Sequence, residues 1–171
     1  MFDNDILIRG KHATYLKFLS EKTKLLGDSY AKNGAGVFKR YIDVLLVAPL
    51  IGAIQNKRAD EDKTTDDRAN ILAAAVVKEQ GNLMFVYRLV MLTDTSKKLD
   101  PDSQIDFVFR ENGDMDLFMQ YVRGGIEYLY EYFTDSATTK DDYYDKIITL
   151  IKDIELEAND NYDEILKKIT E

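Results

Sequence analysis

Few residues in this chain could do covalent chemistry. Its 171 residues include one histidine, His12, and no cysteine. Without thiols there is no disulfide, thiolate metal site or cysteine nucleophile, and a reducing compartment fits that composition. A conventional zinc centre is not expected, because its commonest ligands are missing. A serine triad would have to recruit His12, and no G-x-S-x-G elbow accompanies it. His12 stands among Arg9, Lys11 and Lys17, surroundings that suggest a basic surface rather than a tuned general base. With 31 acids a carboxylate pair is available, yet no spacing singles one out. The acid-rich run Ala59–Asn70 lacks the D-x-[DN]-x-[DN]-G order of a calcium loop and reads as a solvated loop. The small residues of Asp28–Gly36 are followed by no GK[ST], which leaves a phosphate loop without support. The chain is therefore expected to be no enzyme and to hold no cofactor or metal.

Two sets of residues are suited to binding instead. The first is cationic: Arg9, Lys11, Lys17, Lys39 and Arg40 near the N-terminus, and Lys57 and Arg58 further on. A basic face of this kind can contact phosphate. The second set is Arg123, Gly124, Gly125, Tyr128, Tyr132, Tyr143 and Tyr144, in which tyrosines are interleaved with Glu127, Glu131, Asp141 and Asp142. Acids beside the rings repel phosphate, so this set is expected to meet protein. The net charge of −8 is polarised: residues 1–40 sum to +4, residues 41–110 to −2 and residues 111–171 to −10.

The elements that must position these groups are helical. Val37–Arg58 is apolar almost all round, the signature of a helix enclosed by its neighbours. Pro49 within it predicts a kink or a break. Further helices are expected over about 12–26, 67–92, from Pro101 with Asp100 as its cap, through Gly124-Gly125, and over 139–157 and 161–169. Thr64 or Thr65 would cap the helix that starts near Asp67, and Gly81 would mark a kink or a close crossing within it. At Gly124-Gly125 three readings stand: tight packing, which is preferred, a broken helix, or an anion held at exposed amides beside Arg123. No segment shows sustained strand alternation. The expected fold is all-α, one compact domain of six or seven helices around the 37–58 helix. Residues 1–10 form a lead-in, 59–66 a polar loop and 134–171 an acidic helical tail.

The longest apolar run, Val44–Ile54, is about half of the roughly 20 residues that a membrane span needs. MFDNDILIRGKH lacks the order of a secretory signal, and a cytoplasmic protein is expected.

Three blocks taken in order resemble a known family: FKRYIDVLLVAPLIGAIQNKRADED (38–62), YRLVMLTD (87–94) and YVRGGIEYL (121–129). They are similar to small bacterial proteins associated with the Dnd DNA-sulfur-modification system, found among phage-defence genes. The resemblance implies an accessory role in DNA modification or restriction, without implying catalysis. It draws attention to Lys39, Arg40, Lys57 and Arg58, which flank the central helix. The leading expectation is an interaction module that docks to a protein partner. The alternatives are direct nucleic-acid binding through the basic N-terminal face, and an acidic DNA mimic of phage or mobile-element origin. The aromatic content is compatible with a homo-oligomer.

Overall fold

A computed structural model describes residues 1–20, 36–109, 114–137 and 140–170. Contacts divide the chain into two units, Met1–Tyr132 and Phe133–Glu171. Among the described residues the fold is all-α apart from one small sheet, with seven helices in all. None of these helices is long and apolar enough to cross a membrane.

The first unit begins with β1 (Ile6–Arg9) and α1 (Lys11–Leu19), and α2 (Tyr41–Ile54) follows. β2 (Arg68–Ile71) pairs antiparallel with β1, with Ile6 opposite Ile71 and Arg9 opposite Arg68. The expected helix over 67–92 therefore starts as a strand, and Thr64 and Thr65 cap no helix. Each strand is only four residues long, too short for alternation to show, and its partner lies about sixty positions away. The remainder of that stretch forms α3 (Ala73–Lys78) and α4 (Gln80–Thr93), which meet at Glu79. Gly81 is no crossing point: a methyl group built there would meet nothing within 4 Å.

α2 is the central helix, shorter at both ends than the sequence implied. Arg40 N–H donates to the Asp43 carboxylate at 2.9 Å, which closes its N-terminus. At the other end Asn56 adopts a left-handed conformation, φ 46°. Asn56 N–H then reaches Ala53 O and Lys57 N–H reaches Gly52 O, the paired bonds of a Schellman stop. The helix runs unbroken through Pro49, so the expected break does not occur.

α5 (Pro101–Phe109) starts as expected, with the Asp100 carboxylate accepting from Ser103 N–H at 3.1 Å. α6 (Met115–Thr134) is capped by Asp114, which accepts from Leu117 N–H at 2.9 Å. It continues through Gly124-Gly125 without interruption. Phe2, Tyr87 and Phe118 meet edge to face, with ring centroids 5.2–6.2 Å apart, and fill the centre of the unit. The lead-in residues Phe2 and Ile8 are buried in that core.

The glycines set how closely α2 and α6 approach. A Cβ at Gly125 would lie 1.7 Å from Ala48 O, and one at Gly52 would lie 2.3 Å from Tyr121 O. Tight packing, the preferred reading of Gly124-Gly125, is what holds.

The second unit contains α7 (Lys140–Thr170), one helix where the sequence suggested two. Its residue Tyr143 lies 6.3 Å from Phe133, centroid to centroid.

The crossing predicts opposite outcomes for two glycine-to-alanine changes. Gly125→Ala overpacks a backbone contact and is expected to cost at least about 1–3 kcal/mol. Gly81→Ala, in open space, should be neutral or stabilising by up to about 1 kcal/mol. Urea midpoints at constant slope would measure both.

Candidate functional site

The candidate site is the seam where the end of α2 meets the middle of α6. Gly124 faces the Lys57–Arg58 backbone so closely that a Cβ would lie 2.2 Å from Lys57 O. One and two turns beyond Gly124, Tyr128 and Tyr132 occupy the same helix face. Their rings lie 6.1 Å apart with planes 11° from parallel. Lys57 Nζ stands 5.7 Å from the Tyr128 centroid and pairs with Glu131 Oε2 at 2.5 Å. Gln55 completes the lining of an open groove of about 220 Å³.

Around this groove the polar groups are tied down. Arg123 Nε donates to Ala59 O at 2.8 Å, and Ala59 N–H donates to Gln120 O at 3.0 Å, so the chain leaving α2 is fastened to α6. Burial pushes the Arg123 guanidinium below its ordinary pKa, against the pull of Glu61, Asp60 and Asp116. Arg58 lies 3.7 Å from the buried Asp94 carboxylate. Asp94 accepts from Tyr121 OH at 2.6 Å and from Ser96 N–H at 2.9 Å. Burial alone would raise the Asp94 pKa, but its hydrogen bonds and Arg58 outweigh that and hold it below the usual range. Burial, reinforced by Asp94, pushes the Tyr121 hydroxyl up to about 12.

A second cluster joins α1 to α6. His12 is fully buried, and its Nε2 lies 2.8 Å from Glu127 Oε1, which also takes Lys11 Nζ at 2.8 Å. This overturns the expectation of a basic surface around His12. His12 shares the inward face of α1 with Leu16 and Leu19, at i, i+4 and i+7, and that spacing was the signal available in the sequence. The loop expected to be solvated also engages α1. Asp62 Oδ2 accepts from Lys11 N–H at 2.6 Å, at the start of the helix, and Asp67 takes Thr14 Oγ1 at 2.7 Å. The Thr64 hydroxyl and amide together with the Lys11 amide pull the Asp62 carboxyl down to about 2.

Most of the cationic set is paired with acids. Arg9 pairs with Glu61, Lys11 with Glu127, Lys17 with Asp67, Arg40 with Asp43 and Glu79, Lys57 with Glu131, and Arg58 with Asp94. Lys39 is exposed and makes no ion pair among the described residues. Of the aromatic set, Arg123, Gly124, Gly125, Tyr128 and Tyr132 come together at the seam, with Lys57 and Arg58 added from the chain just after α2. Tyr143 and Tyr144 belong to the second unit, where Tyr144 is exposed. Two further lysines of the basic N-terminal segment, Lys22 and Lys24, lie outside the described residues.

A family model for DNA sulphur modification system-associated protein 4 matches residues 17–169. The chain belongs to this family. Among curated proteins and solved structures, none matches it. The family span takes in every seam residue, whereas Arg9, Lys11 and His12 precede it. The three blocks that carried the resemblance all fall within it. In chemical terms the seam offers paired charges and two nearly parallel phenol rings. Among the described residues no group of His, Asp and Glu is placed to hold a metal ion.

The His12 environment sets an acid limit on stability. Burial, only partly opposed by Glu127, lowers its pKa from the ordinary 6.5. The unfolded chain then binds the proton more readily than the folded one, so stability is complete above about pH 6.5 and falls below it. His12→Gln, which keeps a donor for Glu127, should hold its stability down to the carboxylate range near pH 4. Denaturation midpoints between pH 7 and pH 5 test this, and equal losses in both proteins would contradict it.

Proposed function

We propose that this protein is a non-enzymatic accessory component of a DNA sulfur-modification system that acts by docking to a protein partner. Membership of the family supports the system. The observation that carries the docking reading is the seam groove, where Tyr128 and Tyr132 present parallel rings beside the Lys57–Glu131 pair. Tyrosine supplies a large, rigid contact area at low entropic cost and is enriched at protein interfaces. The state of the basic residues argues in the same direction. A lysine already bridged to a carboxylate gains little from a phosphate, because the bond to be made replaces one to be broken. Direct nucleic-acid binding would need several such exchanges at once. The protein would work in the cytoplasm, where its DNA-modifying partners meet the genome, as part of defence against phage.

Recovery of the tagged protein from its native cell, with and without nuclease, tests this reading. A sulfur-modification protein should be retained after nuclease treatment and through moderate salt. The double change Tyr128→Ser, Tyr132→Ser should weaken that retention about ten- to a hundredfold without altering the helical circular dichroism. Recovery of nucleic acid, or a partner lost on nuclease treatment with steep salt dependence, would overturn it.

A further inference from the structure

The seam already holds a cation of its own. Lys57 Nζ lies 5.7 Å from the centre of the Tyr128 ring and 2.5 Å from Glu131 Oε2. One phenol face and one carboxylate oxygen thus form a seat for positive charge. The seat can be reached from outside, because the Glu131 side chain is 63% exposed and that of Lys57 39%. The Lys57 backbone is fixed: its N–H donates to Gly52 O at 2.7 Å, and Gly124 packs against its carbonyl. Only the side chain is left to swing out. Lys57 supplies the one cation among the described residues that line the groove, the others being Gln55, Tyr128, Glu131 and Tyr132. With the lysine side chain withdrawn, the groove presents a carboxylate and two nearly parallel phenol rings.

We propose that this seat receives an arginine from the partner protein, and that Lys57 occupies it until the arginine displaces it. The inference rests on the docking reading and names the partner's chemistry. A planar guanidinium stacks on a phenol face and donates two parallel bonds to one carboxylate, whereas an ammonium is a compact, strongly hydrated point charge. The exchange therefore replaces a single contact by a fork and a stack, and the released lysine returns to water. It also leaves Glu131 paired. Capture of a phosphate by Lys57 would instead strand that carboxylate, so the ion pair that opposes nucleic acid admits a basic protein segment. Charge at longer range favours such a segment over a second copy of this chain. The chain carries −8, and residues 111–171, which supply the α6 wall, sum to −10.

Two measurements test this. In the first, protein with isotope-labelled tyrosine rings is titrated with N-acetyl-arginine amide and, separately, with N-acetyl-lysine amide. The arginine compound should shift the Tyr128 ring signals and bind the more tightly of the two. Lys57→Ala should tighten its binding about threefold or more, and Glu131→Gln should weaken it about three- to tenfold. Equal binding of the two compounds, no shift at Tyr128, or indifference to both substitutions would overturn the proposal. In the second, the partner recovered from the native cell is measured against the same variants, each with its circular dichroism intact. Affinity should rise with Lys57→Ala and fall with Glu131→Gln. Replacing one arginine of the partner by glutamine should cost as much as Glu131→Gln, with little further loss when the two are combined. Affinity that depends on Tyr128 and Tyr132 but ignores Lys57→Ala and Glu131→Gln would overturn the arginine seat and leave the docking reading in place. Recovery of no partner would overturn both, and a second copy of the chain in the groove would overturn the arginine-bearing partner.

Discussion

The structure depends on bare backbone meeting bare backbone where α2 crosses α6. Gly52, Gly124 and Gly125 leave no room for a side chain at that crossing. Two helices that touch through glycine approach more closely than ordinary helix packing allows, and the flanking contacts inherit that geometry. Arg123 can then reach Ala59 O, Tyr121 can reach Asp94 and Lys57 can lie over Tyr128. The groove follows from the crossing, because one wall is α6 and the other is the Gln55–Lys57 segment that leaves α2 beside it.

Electrostatics complete the arrangement. An acidic chain with a basic N-terminal third invites the idea of a polarised surface. In the folded first unit much of that charge is paired internally instead. Asp62 and Asp67 engage α1, Glu127 holds Lys11 and His12, and Asp94 holds Arg58 and Tyr121. Exposed pairs of this kind stabilise by little individually. Their larger effect is positional: the loop after α2, the start of α1 and the end of α4 are each fastened by a buried or half-buried carboxylate.

Features that depend on neighbouring residues were legible in the sequence. The apolar stretch around Val44–Ile54 identified the central helix, Asp100-Pro101 identified a helix start, and paired glycines within a helical pattern pointed to close packing. The blocks that resembled the sulfur-modification family lie in the span that its model matches. Features that depend on distant partners were not legible. His12 meets Glu127 across 115 positions, and Lys17 meets Asp67 across 50. The two strands exist only because each finds the other. Of the kink or break expected at Pro49, the break does not occur: the enclosed helix runs through it.

Through their glycine contact α2 and α6 should unfold as one cooperative unit. Native-state hydrogen exchange tests it most directly. The slowest amides of α2, around Leu50 to Ala53, and of α6, around Val122 to Leu129, should open together, with the free energy of global unfolding. Exchange of the α6 amides through a lower-energy opening, while those of α2 stay protected, would contradict the account.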